Sequence, residues 1–217
     1  MGASLLESDE APVVLENGSG RSPYVLISEH ASNRLPKALG TLGLSESELQ
    51  RHIAWDIGAE QVARLLSRLI DAPLVLQRYS RLAYDCNRPP DSADAMPEIS
   101  ETTHIPGNQN LSPDDKLMRI HEIYRPFHAA IADLLDRRAA EGVRSLVVTI
   151  HSFTPVYKGK SRSVELGILH DRDVTAGTRD VERKLSGDDP ISLAPDLVAI
   201  PVPGHTRGHA VLVYREK

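Results

Sequence analysis

The chain has 217 residues, 41% of them hydrophobic and 25% charged, with a formal net charge of −5. These are the proportions of one globular domain with a sizeable core. They exclude a broad cationic surface for nucleic acid, and no apolar run approaches the ~20 residues of a membrane span.

Cys86 is the single cysteine, so no internal disulfide can form and a reducing compartment is expected. The opening "MGASLLESDEAP" lacks a basic stretch followed by an apolar core and does not read as a secretory signal. The expected location is therefore cytoplasmic, and no oligomeric state is specified.

In chain order, residues 1–22 read as a loose leader ending in the turn-rich "ENGSGRSP". Residues 23–217 then read as a single domain. Tyr24–Ser28 is the first predicted strand. A loop with Pro36, Gly40 and Gly43 follows, and Ser45 with Glu48 three residues on predicts a capped short helix. From Ile57 to Ile70 the apolar positions Ile57, Val62, Leu65, Leu66, Leu69 and Ile70 recur at helical spacing. Leu74–Leu76 is a short strand. Residues 89–113 hold five prolines and no periodicity, a long loop of the kind that often carries function.

Ser112-Pro113-Asp114-Asp115 is a helix start, with the cap, the proline and the acids in their preferred places. That helix is expected to reach about Ala140, with a kink at Pro126 and a stop at Gly142. Leu146–Ile150 is a continuous apolar run, the mark of a central strand covered on both faces. Val164–Leu169, Leu197–Val202 and Ala210–Tyr214 are further predicted strands, and Val174–Leu185 a predicted helix. Strands alternating with helices indicate an α/β class: a mixed, mostly parallel sheet with helices on both faces.

Two apolar runs lead into an imidazole, at His30 in "ISEHAS" and at His151 in "TIHSFTP". Ligand sites in such sheets lie at the carboxyl ends of central strands. A catalytic zinc takes three nitrogen or oxygen ligands and keeps one position open. His30, Asp56 and His151 form a candidate set, and ligands of this kind also admit manganese or iron. The bland alternative is two unrelated polar residues at strand ends. In "YDCNRPP", the planar fork of Arg88 and the amide of Asn87 suit a carboxylate. A loop-entry salt bridge explains the same residues. Asp85 is placed to orient Arg88 or a histidine, and Arg81 is a second candidate clamp.

Rival chemistries are weaker. His151 and Ser152 are neighbours on a strand and point to opposite faces, and no G-x-S-x-G elbow occurs. Cys86 reads as a small packed residue, and His121 and His128 as surface or packing residues of the long helix. "GKSR" (159–162) lacks the upstream glycine of a phosphate loop.

Taken together, "SEHASNRLP", "WDIGA", "YSRLAYDCNRPP", "GNQNLS", "YRPFH" and "IHSFTP" resemble the N-formylglutamate amidohydrolase family over about residues 12–173. The resemblance implies a zinc-carboxypeptidase-like fold in a single catalytic domain. It also implies hydrolysis of an N-acyl amide on an acidic amino acid: N-formyl-L-glutamate to formate and glutamate, in histidine breakdown. Carried over, His30, His151 and Asp56 are the metal ligands with Glu29 in reserve, and Asn87, Arg88 and Ser152 are substrate contacts. A metal in such a site acidifies water and polarises an amide carbonyl. A carboxylate carries the proton to the leaving amine, and Arg81 steadies the developing oxyanion.

The chain departs from the family pattern late. Tyr214 stands where the family's final strand carries a glutamate, leaving Glu216 and Glu165 as candidate general bases. Two further readings stay open: a peptidase or cell-wall amidase on the same fold, and a metal-binding homologue with weakened catalysis.

Overall fold

The elements follow the alternation of the sequence. In chain order they begin with β1 (Val13–Glu16), β2 (Tyr24–Ser28), α1 (Glu46–Leu49), α2 (Ala59–Leu69) and β3 (Leu74–Gln77). Next come β4 (Ile99–Ser100), β5 (Thr103–His104), α3 (Pro113–Arg119) and α4 (Arg125–Ala140). The series closes with β6 (Leu146–Phe153), β7 (Val156–Tyr157), β8 (Lys160–Ser161), β9 (Leu166–His170) and β10 (His209–Arg215). This computed structural model describes residues 4–7, 9–161, 166–170 and 209–215. The helix expected over 174–185 and the strand expected over 197–202 lie outside the described residues.

Six strands form one sheet in the order β1-β3-β2-β6-β10-β9. The four central strands are mutually parallel, and β1 and β9 run antiparallel to their neighbours. This is the mixed, mostly parallel α/β sheet the alternation predicts.

Strand periodicity divides the core. Val25, Ile27, Val75 and Val147 point to one face, where Ile120, Ile123, Phe127 and Leu134 cover them. Leu26, Leu74, Leu76, Val148 and Ile150 point to the other, against Ala63 and Leu66 of α2. Both faces are therefore dry, as continuous apolar runs require.

The buried side of α2 differs from the leucine-based expectation. Leu65 and Leu69 are 50% and 69% exposed, while Ala59 and Ala63 are fully buried. Small side chains let the helix approach the sheet closely, so alanines carry the contact. The helix starts at Ala59 rather than Ile57 because Gly58 holds φ at +82°, a left-handed conformation that breaks the helical path. The Ser45–Glu48 capping box forms as expected.

The long helix is not simply kinked. Between α3 and α4, Ile120–Tyr124 form a π-helical turn, and the Arg125 N–H bonds to the Ile120 carbonyl five residues back. Pro126 has no N–H to return and its ring crowds the preceding turn. The widened turn absorbs that mismatch.

The leader is ordered where it is described. Glu122 accepts hydrogen bonds from Ser4 Oγ and from the Leu5 and Leu6 amides. Leu5 is buried, and β1 pairs antiparallel with β3. Turn chemistry marked the break at 16–23, but pairing on the sheet edge was not visible in a four-residue run. None of the described helices is long and apolar enough to cross a membrane.

Phe127→Ala is expected to cost about 3–5 kcal/mol in urea denaturation, and Leu69→Ala to stay within about 0.5 kcal/mol. Equal losses would contradict the assignment of buried and exposed helix faces.

Candidate metal centre

The site arises from a stagger between neighbouring strands. β2 pairs with β6 only from Tyr24↔Leu146 to Ile27↔Thr149, whereas β10 follows β6 out to Arg215↔Phe153. Support from β10 lets β6 run through His151 to Phe153, so the strand does not end on His151 as its apolar run suggests. Where β2 leaves the sheet, Ser28 Oγ donates to the Ile150 carbonyl at 3.1 Å. The turn that follows brings Glu29 and His30 against His151.

Asp56 completes the cluster from the segment before α2. Its main-chain N–H donates to the His30 carbonyl at 2.9 Å, and its own carbonyl accepts from the Ala59 N–H. Its Oδ2 lies 2.7 Å from His151 Nδ1 and 3.4 Å from His30 Nδ1. The Ser152 N–H donates to the same oxygen at 3.3 Å. Ser152 therefore meets the site through its main chain.

All three residues are buried, and one donor atom from each lies within 4.8 Å of the other two. A tetrahedral zinc with bonds of 2.0–2.1 Å sets its ligand atoms about 3.3 Å apart. The Asp56 contacts at 2.7 and 3.4 Å bracket that figure. The far nitrogens also meet carboxylates. His30 Nε2 lies 2.7 Å from Asp85 Oδ1, and His151 Nε2 is 3.5 Å from Glu29 Oε2. A carboxylate behind a ligating histidine fixes its tautomer and ring orientation. Two imidazoles and one carboxylate, with Asp85 bonded behind His30, fit a divalent metal, and His30, Asp56 and His151 are the residues that could hold it.

The electrostatics point the same way. Burial pushes the Asp56 pKa up, but His30 and His151 outweigh it and hold the carboxyl well below its usual range. Burial likewise raises Asp85, and His30 and Arg81 overcome it to leave it strongly lowered. For His30, burial and the Arg81 charge act downward, yet Asp85 and Asp56 raise its pKa to about 9. Two buried carboxylates thus favour positive charge beside them, on His30 and Arg81. Metal and proton compete for such a histidine.

Arg81 closes the circuit. Nη2 is 2.8 Å from Asp85 Oδ2 and Nη1 is 3.6 Å from Asp56 Oδ1. Of the two partners the sequence left open for Asp85, a histidine or Arg88, the structure supplies His30, with Arg81 as a second. Asn87 donates its main-chain N–H to Asp85 Oδ1 at 3.0 Å, and Arg88 Nη1 bonds back to the Asn87 carbonyl at 2.9 Å. Both residues adjoin the cluster through these main-chain contacts next to Asp85. Cys86 is buried and accepts a hydrogen bond from Gln77 Nε2 at 3.1 Å, in keeping with a packed residue. His128 Nε2 reaches the Cys86 carbonyl at 2.9 Å and so braces this turn, a role that helical spacing did not reveal. Glu165 and Glu216 lie outside the described residues.

A family model described as N-formylglutamate amidohydrolase matches residues 22–192. Among solved structures, a gene product of Agrobacterium tumefaciens is 51% identical, with a TM-score of 0.74 over 76% of this chain and 65% of that one. This chain therefore spans just under two thirds of that relative. An N-formylglutamate amidohydrolase from Ralstonia eutropha is 22% identical, with a TM-score of 0.56 over 76% of this chain and 67% of that chain, and shows the likeness of fold. No curated protein sequence matches the chain.

Asp85→Asn removes the charge behind His30 while keeping the shape. Zinc affinity, read by competition with a chromophoric chelator, is expected to fall 10–100-fold. An unchanged affinity would remove Asp85 from the support of the site.

Proposed function

The chain belongs to the N-formylglutamate amidohydrolase family, and from that premise we propose that it hydrolyses the amide of a small N-acyl acidic amino acid, N-formyl-L-glutamate first among them. The observation that carries this reading is the buried cluster in which one Asp56 oxygen lies between the Nδ1 atoms of His30 and His151. A divalent metal held there, zinc by donor type with manganese and iron as neighbours in chemistry, would supply Lewis acidity and acidified water.

The chain's own residues divide the remaining work. Asp85 and Glu29 orient the two imidazoles from behind. Arg81, anchored on Asp85 with its side chain 27% exposed, is the cation available to a developing oxyanion. Asn87 and Arg88, beside Asp85, supply the fork and amide that suit the carboxylates of an acidic amino acid. Ser152 belongs to the same substrate side, with its amide already committed to Asp56.

The candidate proton carriers come from the sequence. Tyr214 pairs with Ser152, one residue past His151, so β10 ends at the level of the cluster. Glu216 follows directly on that strand's last residue. Leu166, at the start of β9, pairs with Tyr214, and Glu165 precedes it in the sequence. Glu216, two residues past the Tyr214 that stands where the family carries its glutamate, is the first candidate general base, and Glu165 the second. The product leaves a soluble small-molecule reaction, and a cytoplasmic enzyme of histidine breakdown fits it.

The test is metal analysis of the purified protein followed by a formate-release assay on N-formylglutamate, with N-acetyl and peptide analogues alongside. Near-stoichiometric zinc and formate release abolished by a chelator are expected. Metal without turnover on any analogue would assign the chain to metal-binding homologues, and only trace metal would overturn the central claim.

Glu216→Gln is expected to lower kcat by about 10²–10⁴-fold and Glu165→Gln by much less, at full metal loading. The reverse order in stopped assays of formate release would exchange their roles.

A further inference from the structure

The tip of the β4–β5 hairpin sets one carboxylate among three loops. Glu101 holds φ at +57°, in the left-handed region that non-glycine residues seldom adopt. Its side chain is only 12% exposed. Oε2 accepts from Arg51 Nη2 at 2.9 Å and stands 3.4 Å from His52 Nε2. Oε1 accepts the Lys158 main-chain N–H at 3.2 Å. Arg51 Nη1 also donates to Thr103 Oγ1 at 2.8 Å, so its guanidinium grips the hairpin on both sides of the turn.

These partners lead back to the site. Arg51 and His52 open the segment that ends at Asp56, and Ser80 Oγ ties its middle through the Ala54 carbonyl at 2.7 Å. Lys158 and Gly159, with φ of 48° and 74°, form the tip of the β7–β8 hairpin, which follows His151 on the chain. Two left-handed residues at such a tip give the tight turn that suits a hairpin. The Tyr157 phenol, next to that tip, is near enough to act on the charge of Arg81. Burial lowers the Arg81 pKa, while Asp85, Asp56 and Tyr157 together raise it.

We propose that Glu101 is a positioning residue: it clamps the segment bearing Asp56 to the β7–β8 hairpin and so fixes the rim of the candidate metal centre. An exposed ion pair alone contributes little. Here donors from two distant segments converge on one sheltered carboxylate, and one of them is a main-chain N–H of a left-handed turn. The kinetic consequence rests on the proposed amidohydrolase reading, while the structural consequence does not.

The experiment uses the full, metal-loaded chain. Trp55, the only tryptophan, lies in the clamped segment and reports on it directly. In Glu101→Ala, exchange of the Lys158 amide is expected to be about tenfold faster, and acrylamide quenching of Trp55 to rise. KM for N-formylglutamate should increase about tenfold with kcat within about threefold. Glu101→Gln keeps an oxygen for the Lys158 N–H but loses the ion pair. It should restore protection at Lys158 and leave Trp55 more readily quenched. Unchanged exchange over 156–161 with unchanged Trp55 quenching would overturn the proposal. So would faster exchange spread evenly through β2 and β6, which marks a general stabiliser. Failure of wild-type formate release would count against the amidohydrolase reading alone, because exchange and quenching still decide the role of Glu101.

Discussion

The site depends on how Asp56 is held. One residue is fixed twice: its N–H bonds to the His30 carbonyl, and its carboxylate meets the imidazoles of His30 and His151. The first contact ties the segment before α2 to the turn after β2. The second ties both to β6. A carboxylate in a dry interior is costly unless hydrogen bonds and opposite charges surround it, and Asp56 has both. Breaking this junction would strand a buried charge and separate three chain segments together.

The sheet makes the junction possible. A parallel sheet packed on both faces disfavours charged groups within it, so they collect where strands stop. β2 stops before β6, and β6 continues because β10 supports it. Polar residues gather in the resulting notch: Ser28 bridges to Ile150, Glu29 turns to His151, and His30 turns to Asp56 and Asp85. Apolar packing below gives the notch rigid walls, from Val147 on one face and Val148 and Ile150 on the other. Rigid elements hold ligand geometry better than loops do.

Much of this was legible in the sequence. Continuous apolar runs at 24–28 and 146–150 marked central strands, and histidines beyond them marked the site, because burial and periodicity are local properties. Asp56 is marked as third candidate ligand by its donor type and its place at a helix start, and the structure brings it to both imidazoles. What remained hidden depends on pairing across the chain. The extension of β6 past His151 is set by β10, more than fifty residues later. The buried face of α2 rests on alanines, whose low hydrophobicity gives a weak periodic signal beside Leu65 and Leu69. The grip of Glu101 on Arg51 and Lys158 has no sequence signature at all, since neither a left-handed φ at glutamate nor its distant partners can be read locally.

Charge explains why the carboxylates outnumber the arginine that faces them. Asp56 and Asp85 are both held ionised, and Arg81 offsets one of them. The second negative charge is met by a proton on His30, whose pKa the two carboxylates raise to about 9. A group of this kind does not gain by burying a neutral imidazole among anions, because desolvation is then uncompensated. The same carboxylates that contact the two imidazoles also set the charge of the cluster, so geometry and electrostatics at this site cannot be changed independently.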